Sequence, residues 1–532
     1  MIHSVATTLA LLLAVASSLG AQVPEAAPDG SSPSGTPVSS AAQLGNTPSG
    51  TRASSRARVT EAAPVSQAEY RQRRDALVAR IDNGILLVIG ASEPAEDFLT
   101  FNQTPHFNYL TGFDEPDAAL VVVKKGGAAA STIFVQPRAP ASEVWTGTRL
   151  GADGAARLTG VAGRDARQLP SVLDSLAGLG LPMYVVGNLG SEEGTATADA
   201  QRIAALRSKH PSLDVRDASG LVLRQRGTKS AVELALIRMA ADITSAAQVE
   251  AMRAMEPGMN EFEVQALIEY TFRRRGADRP SFSTIVASGP NATTLHYNRD
   301  NRFIQDGDLV VMDIGASARG YAADVTRTVP ANGTFSPIQR EVYQIVRDAQ
   351  SAAERQARIG VSAKRMTDSS TAVLAAGLAR LGLIESARAT YECENDGAMT
   401  ECAQYSLYYM HSLGHGIGLE VHDPAPYYFA PNLLTPGSAY TLEPGIYVRA
   451  NTVAIIPDTP KNRAVRAKIA LAVAKYANIG VRIEDDYVVT EQGVEWVSRA
   501  PREIDEIEAA MRVPDSGPAK RDPALVEWYR KP

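Results

Sequence analysis

The chain has little cysteine: Cys393 and Cys402 are the only two among 532 residues. So few cysteines exclude a fold held by many disulfides, and no histidines stand beside them at zinc-finger spacing. In an exported protein the two cysteines are expected to pair and close a short loop. In a cytosolic protein they would instead be free, buried thiols.

The chain also lacks a basic stripe or a long run of lysine and arginine of the kind that binds nucleic acid, and its formal net charge of −6 is small for its length. Proteins that bind nucleic acid usually carry a basic patch or stripe. No nucleic-acid partner is therefore expected.

A long apolar run is missing as well. Val5–Val15 is apolar but too short for a membrane span, and the small residues of Ser17–Ala21 follow it. This pattern predicts a signal peptide over residues 1–21, although no lysine or arginine precedes the run. We therefore expect an exported protein, periplasmic or secreted, with no membrane anchor; an uncleaved N-terminal helix is the alternative.

The remaining chain is too long for one core, so several domains are expected. Residues 22–64 are rich in Ala, Pro, Ser, Gly and Thr and cannot bury enough surface to offset their ordering entropy, which predicts a disordered linker. Over 65–227 strand-like and helical stretches alternate, as in an α/β domain with a mixed or parallel sheet. A boundary near Gly227 separates it from a second domain, 228–501, and a tail, 502–532.

Helix starts are marked clearly in the second domain. Ser230-x-x-Glu233 is a capping box, and Asn260-x-x-Glu263 predicts the same arrangement of hydrogen bonds with an asparagine as the N-cap. Further helices are predicted over Pro337–Ile359, Ala363–Leu381 and Arg463–Tyr476.

Histidine is concentrated in one stretch, His411–Asp423, which holds three of the seven histidines in the chain. His411 and His415 have helical spacing, but three interleaved glycines disfavour a helix there. Those glycines suit a strand or loop whose backbone packs close to a metal or ligand.

Two aspartates interrupt a predicted hairpin. Asp313 ends the predicted strand Asp308–Asp313, and Asp324 lies within the next predicted strand, Tyr321–Val329. A turn centred on Ala318 and Arg319 would put the two aspartates opposite each other, with Cβ atoms about 5 Å apart. Like charges at that distance need a cation between them.

Two glutamates, Glu443 and Glu484, lie in similarly apolar contexts. With one histidine they complete a set of four carboxylates and an imidazole, whose charge two divalent cations would balance. Oxygen-rich ligands with a single histidine favour manganese, with zinc, cobalt or iron as alternatives. Two such ions can hold one hydroxide and polarise a carbonyl, which suits amide hydrolysis.

These motifs, with the segment Phe107–Asp117, resemble the M24 metallopeptidases of pita-bread fold, and most closely aminopeptidase P, from Tyr70 to Pro501. The resemblance implies an α/β chain in which a creatinase/aminopeptidase P-like N-terminal domain precedes a pita-bread catalytic domain. It also implies a dimetal aminopeptidase that hydrolyses the N-terminal Xaa-Pro bond of proline-containing peptides through a metal-bridging hydroxide. A homo-oligomer, dimer or tetramer, is expected.

The resemblance further assigns a role to each motif residue. The implied metal ligands are Asp313, Asp324, His415, Glu443 and Glu484, with Glu443 also accepting a proton from the attacking water. Around them, His411 and His422 would contact the substrate carbonyl and move protons. His296 would lie near the substrate. Arg482 would lie beside a bridging carboxylate, and Tyr447 would lie near the proline pocket.

Other functions remain open at this point. A prolidase, limited to dipeptides, would use the same ligands. A methionine aminopeptidase fits poorly, because it would not need the N-terminal domain or the Phe107–Asp117 motif. A metal-free binding protein of the same fold usually loses ligands.

Two segments, Cys393–Cys402 and Asn451–Asn478, look like additions that could shape the substrate entrance.

Overall fold

A computed structural model describes residues 64–96, 98–192 and 194–514. The predicted signal peptide, nearly all of the predicted linker and the end of the predicted tail lie outside these residues. Within the described ranges, every helix is too short or too polar to cross a membrane.

The N-terminal part is built on one six-stranded mixed sheet with the strand order β4-β3-β2-β1-β5-β8. Its elements are α1 Gln67–Ala79, β1 Gly84–Ile89, α2 Pro105–Thr111, β2 Ala119–Lys125, β3 Ala128–Val135, α3 Glu143–Thr146, α4 Gly151–Thr159, β4 Ala162–Asp165, α5 Leu169–Ala177, β5 Met183–Val186, β6 Ser191–Glu192, β7 Thr195–Ala196, α6 Ala198–Lys209, β8 Val215–Asp217 and α7 Ser219–Arg226. The central strand β1 is buried along its whole length, and an apolar cluster covers each face of the sheet. The predicted α/β class is confirmed.

The segment Phe107–Asp117 forms the end of a helix and the loop after it. Its first half belongs to helix α2, which begins at Pro105 and ends at Thr111, and the next residue, Gly112, has a φ of +64°. Proline at the first helical position and a left-handed glycine after the last are typical helix boundaries. Phe107 and Leu110 are fully buried, so the segment does support the core.

The second part consists of helix pairs packed around interrupted hairpins. Its elements are α8 Ala231–Ala254, α9 Glu261–Arg274, β9 Arg279–Pro280, β10 Ile285–Ser288, β11 Leu309–Ile314, β12 Ala316–Ala318, β13 Tyr321–Ala322, β14 Val325–Pro330, α10 Pro337–Gln356, α11 Ala363–Arg380, β15 Thr390–Asn395, β16 Ala398–Ala403, β17 Ala439–Leu442, β18 Gly445–Val448, α12 Thr452–Ile455, α13 Pro460–Tyr476, β19 Ile479–Arg482, β20 Asp485–Thr490, β21 Gly493–Trp496 and α14 Ile504–Met511. Both predicted capping structures are present, before α8 and before α9.

The first hairpin, residues 309–330, has a different register from the predicted one. Asp313 pairs with Thr326, not with Asp324. The turn is centred on Arg319 and Gly320, which both have positive φ, as two-residue hairpins of type I′ require. The prediction placed the turn one residue too early because it did not give Gly320 this conformation.

A disulfide joins Cys393 and Cys402 across the β15–β16 hairpin, as predicted. Helix α13 begins three residues before its predicted start and packs against this hairpin. The buried Asn462 side chain accepts from Glu392 N at 2.9 Å and donates to Glu392 O at 2.7 Å. The two additions seen in the sequence therefore form one unit.

Candidate metal centre

The four carboxylates and His415 converge on one buried point. Ligand atoms of Asp324, His415 and Glu484 all lie within 4.8 Å of one another. His415 Nε2 is 3.5 Å from Asp324 Oδ2, 3.4 Å from Glu443 Oε1 and 3.8 Å from Glu484 Oε1. Asp313 is close enough for its charge to raise the pKa of both Asp324 and Glu484.

Interruptions in the two hairpins place three of these acids. In the first hairpin, strand pairing stops between the outer pair, β11–β14, and the inner pair, β12–β13. At this break the register puts Asp324 opposite Gly315. In the second hairpin, β17–β20 and β18–β19 are separated by a similar break, where Glu443 stands opposite Glu484. Because these residues lie outside the ladder, their side chains are free to turn toward a common centre.

The histidine stretch runs along the edge of β17 as an extended loop, in agreement with the prediction. Thr441 N donates to His415 O at 2.8 Å. A Cβ on Gly414 would lie 2.0 Å from Thr441 O, so only glycine allows this approach. His415 Nδ1 is 3.1 Å from Gly416 O, so this nitrogen carries the proton and the Nε2 lone pair faces the carboxylates.

Arg482 links the two hairpins. Its Nη2 donates to Asp313 Oδ2 at 2.5 Å, its Nη1 to the Tyr447 hydroxyl at 2.9 Å and its Nε to Thr326 Oγ1 at 3.2 Å. Thr326 in turn donates to Glu484 Oε2 at 2.7 Å. One arginine thus fixes carboxylates from both halves of the domain.

Burial and mutual repulsion disfavour ionisation of most of the acids. Burial raises the pKa of Asp324 and of Glu443, and Glu484 raises both further. The pKa of Glu484 is raised to about 8 by burial and by Asp313. Burial also opposes ionisation of Asp313, but Arg482 outweighs it and the pKa of Asp313 is lowered.

The donor set fits divalent cations. Three buried carboxylate oxygens, Asp313 Oδ1, Asp324 Oδ1 and Glu484 Oε1, have no hydrogen-bond partner among the described residues. An unpartnered buried carboxylate is costly, whereas a bound cation would satisfy these oxygens and favour the ionised form of every acid. The oxygen-rich set with one imidazole is of the kind that manganese and zinc bind.

Three further histidines surround this centre. His411 Nε2 is 2.9 Å from the Tyr447 hydroxyl, and its Nδ1 is 3.6 Å from Glu443 Oε2. The rings of His415 and His422 lie 4.3 Å apart. His296 is exposed, yet near enough for its charge to lower the pKa of both His411 and His422.

Three imidazoles of the site, those of His411, His415 and His422, are held neutral. Burial lowers the pKa of His411 to about 4, assisted by the Arg482 charge, and burial with His422 lowers that of His415 to about 3. Burial and His296 also lower the pKa of His422. A neutral imidazole can accept a proton, which is the form that proton transfer requires.

Two threonines of the site were missed by the sequence analysis. Thr326 contacts Arg482 and Glu484, and Thr441 Oγ1 accepts from His415 N at 3.1 Å. Each lies two residues from a carboxylate, Asp324 or Glu443, on the same strand-like stretch. That period-two spacing was the available signal, because alternate residues share a face.

Comparison with known families agrees with this geometry. Residues 235–491 match the model of metallopeptidase family M24, and residues 70–180 match that of the aminopeptidase P N-terminal domain. The Xaa-Pro aminopeptidase of Escherichia coli is 32% identical over 84% of this chain and 99% of that protein. The Xaa-Pro aminopeptidase of Haemophilus influenzae is 33% identical over 84% of this chain and 98% of that protein.

A solved structure extends the likeness to the fold. Zinc-substituted Escherichia coli aminopeptidase P in complex with product has a TM-score of 0.70 and 32% identity, covering 84% of this chain and 99% of that one. The chain therefore belongs to metallopeptidase family M24, with the aminopeptidase P N-terminal domain before a pita-bread catalytic domain. The two matched ranges lie inside the two predicted domains, whose boundaries stay predictions.

Proposed function

We propose that the protein is a dimetal aminopeptidase that hydrolyses the N-terminal Xaa-Pro bond of peptides. The observation that carries the proposal is the convergence of four carboxylates and one imidazole on a single buried point. The near-complete coverage of Xaa-Pro aminopeptidases, including the N-terminal domain, supports the substrate class.

Asp313, Asp324, His415, Glu443 and Glu484 would hold the cations. When bound, the ions supply Lewis acidity to the scissile carbonyl and lower the pKa of water at the site. Manganese is the ion we propose, because four of the five proposed ligand residues are carboxylates. Metal analysis of the protein purified from its native source tests the identity of the ion.

The chain's own residues would orient the substrate and carry the protons. Glu443 is suited to accept the proton of the attacking water, because its carboxylate lies 3.4 Å from His415 Nε2 and 3.6 Å from His411 Nδ1. His411 and His422, both neutral at pH 7, are suited to contact the carbonyl, to take up the proton that Glu443 accepts and to pass it to the departing proline nitrogen.

Selection of proline must depend on shape. The scissile bond of an Xaa-Pro peptide has no N–H that a hydrogen-bond acceptor could recognise. We propose that the ring fits between Tyr447, His296 and His422. Tyr447 is fully buried and its hydroxyl is fixed by Arg482 and His411, so this wall is rigid.

A peptide panel tests the proposed function. With manganese added, the protein should cleave Xaa-Pro-Yaa and longer peptides, with little cleavage of Xaa-Ala-Yaa. Cleavage confined to Xaa-Pro dipeptides would make the protein a prolidase instead. Binding of peptides without hydrolysis of any of them would favour the binding-protein alternative.

Substitution of the surrounding histidines tests their roles. His411→Ala and His422→Ala should each lower kcat about 100-fold while both ions stay bound, since neither residue is a proposed ligand. Metal content measured on the same preparations is the control. Loss of both ions in either variant would show that the ligands are wrongly assigned.

We also propose that the protein is exported and forms a homo-oligomer. The apolar stretch Val5–Val15 followed by small residues supports export, and fractionation with N-terminal sequencing tests it. The N-terminal domain exposes Phe98, Val144 and Trp145, each more than three-quarters exposed, which supports association. Light scattering of wild type and Trp145→Ala tests the oligomeric state.

A further inference from the structure

Glu261, the first residue of α9, has a fully buried side chain. Its carboxylate accepts hydrogen bonds from five donor groups, all in the segment 288–302. The donors are Ser288 N (2.7 Å), Ser288 Oγ (2.7 Å), Asn291 Nδ2 (3.0 Å), the Tyr297 hydroxyl (3.0 Å) and Arg302 N (2.9 Å). A single ionisable group therefore ties together the start, the middle and the end of this segment.

The same segment carries His296, which precedes the Glu261-bonded Tyr297. Apart from a short turn over Gly289–Thr293, the segment is neither helix nor strand between β10 and β11. Ladder hydrogen bonds thus do little to fix His296. The carboxylate of Glu261 supplies that constraint. Arg482 Nη2 donates to Leu295 O at 3.2 Å, which places the exposed His296 beside the metal centre.

We infer that Glu261 is a positioning residue for catalysis, which sets the place of His296 against the substrate; the inference rests on the proposed function. Hydrogen bonds to a carboxylate are shorter and stronger than those between neutral groups, so five such donor groups define the segment closely. A displacement of a substrate-contacting group by about 1 Å can cost about 100-fold in rate.

The main test compares Glu261→Gln with Glu263→Gln. Glutamine keeps the shape of Glu261 but points an amide N–H₂ at groups that themselves donate. Glu263 is the matched control, because it lies in the same helical turn and, among the residues that the structure describes, its side chain bonds only to its own cap, Asn260 N. We expect kcat/KM for Xaa-Pro-Yaa to fall about 100-fold in Glu261→Gln and to stay at the wild-type level in Glu263→Gln.

Hydrogen exchange gives a readout besides activity. Amide exchange within residues 289–302 should rise in Glu261→Gln and not in Glu263→Gln, while metal content equals that of wild type in both. Faster exchange throughout the protein, or loss of metal, would show a general structural role and overturn the inference.

A double-mutant cycle with His296→Ala separates positioning from stability. If Glu261 acts through His296, Glu261→Gln should cause no further loss of kcat/KM in the His296→Ala background. Additive losses would overturn the inference. Tyr297→Phe removes only one of the five donor groups and provides the same cycle if Glu261→Gln does not fold. Inactivity of the wild type on Xaa-Pro-Yaa would contradict the proposed function, whereas an active wild type with an unaffected Glu261→Gln contradicts this inference alone.

Discussion

The two hairpins that carry the acids share one construction. Each has an outer and an inner pair of strands, separated by a break at the level of the carboxylates. A buried glutamine from the first long helix of each half bridges the two strands of a hairpin beside the break. Gln248 of α8 donates to Met312 O and Val325 O, and Gln350 of α10 donates to Leu442 O and Ile483 O.

The hairpins differ at their far ends. The first closes in a two-residue turn at Arg319 and Gly320. The second connects β18 to β19 through residues 449–478, which contain α12 and α13, and α13 packs on the disulfide hairpin. We therefore expect the carboxylate ligands to depend on the interrupted hairpin, which both halves share, and the choice among peptides to depend on the addition that the second half alone carries.

Removal of the cations should have the largest effect, since both hairpins contribute ligands. Without them the buried carboxylates repel one another, and the folded state loses the free energy of ion binding. We expect chelation to abolish hydrolysis of Xaa-Pro-Yaa and to lower the melting temperature, as measured by activity assay and calorimetry. Restoration by manganese is the control, and full activity in metal-stripped protein would refute the metal centre.

Equivalent substitutions in the two breaks should then separate the roles of the hairpins. Glu443 lies across the hairpin from Glu484, and its carboxylate is also near His411. The residue across the hairpin from Asp324 is a glycine, Gly315. Glu443→Gln should lower kcat about 1,000-fold through loss of the proton acceptor. Asp324→Asn should act mainly by weakening metal binding, so excess manganese should restore part of its activity and none of that of Glu443→Gln. Near wild-type hydrolysis by Glu443→Gln with both ions bound would disprove its role.

The sequence was informative where a residue contradicted its surroundings. Acids inside apolar strands and histidines among glycines stood out, and the structure brings Asp324, His415 and Glu484 together. The predicted cross-strand partner of Asp313 was wrong, because the register of a hairpin depends on which two residues form its turn. Gln248 gave no signal, since glutamine on a long helix is usually exposed and its burial depends on packing.

The glutamines provide a comparison of stability rather than rate. Gln248→Leu and Gln350→Leu each leave carbonyls buried without a donor, at about 1–3 kcal/mol apiece. Gln350 also donates to Asp485 Oδ2 at 3.0 Å, so its substitution should be the more costly. Urea unfolding of the metal-loaded protein measures the difference. Gln344→Leu, on the exposed face of α10, is the control, and an equal or larger loss for Gln248→Leu would contradict the ranking.

The smallest effect on activity is expected from loss of the disulfide in the β15–β16 hairpin, on which α13 packs. Mass spectrometry of non-reduced peptides should show Cys393 linked to Cys402, and two free thiols in protein from its native compartment would contradict the pairing. Serine at both positions removes a crosslink that closes a short loop, which is worth at most about 3 kcal/mol.

The cost of that double substitution should stay local. Much of β16 is exposed, and Asn462 and Lys461 still hold the hairpin to α13 without the crosslink. We therefore expect faster proteolysis within residues 390–403, with unchanged metal content and unchanged kcat on tripeptides. If longer peptides alone show an altered KM, the hairpin and α13 form part of the substrate entrance. Loss of metal would instead mean that this attachment supports the ligands themselves, and the separation of the two functions in the second half would fail.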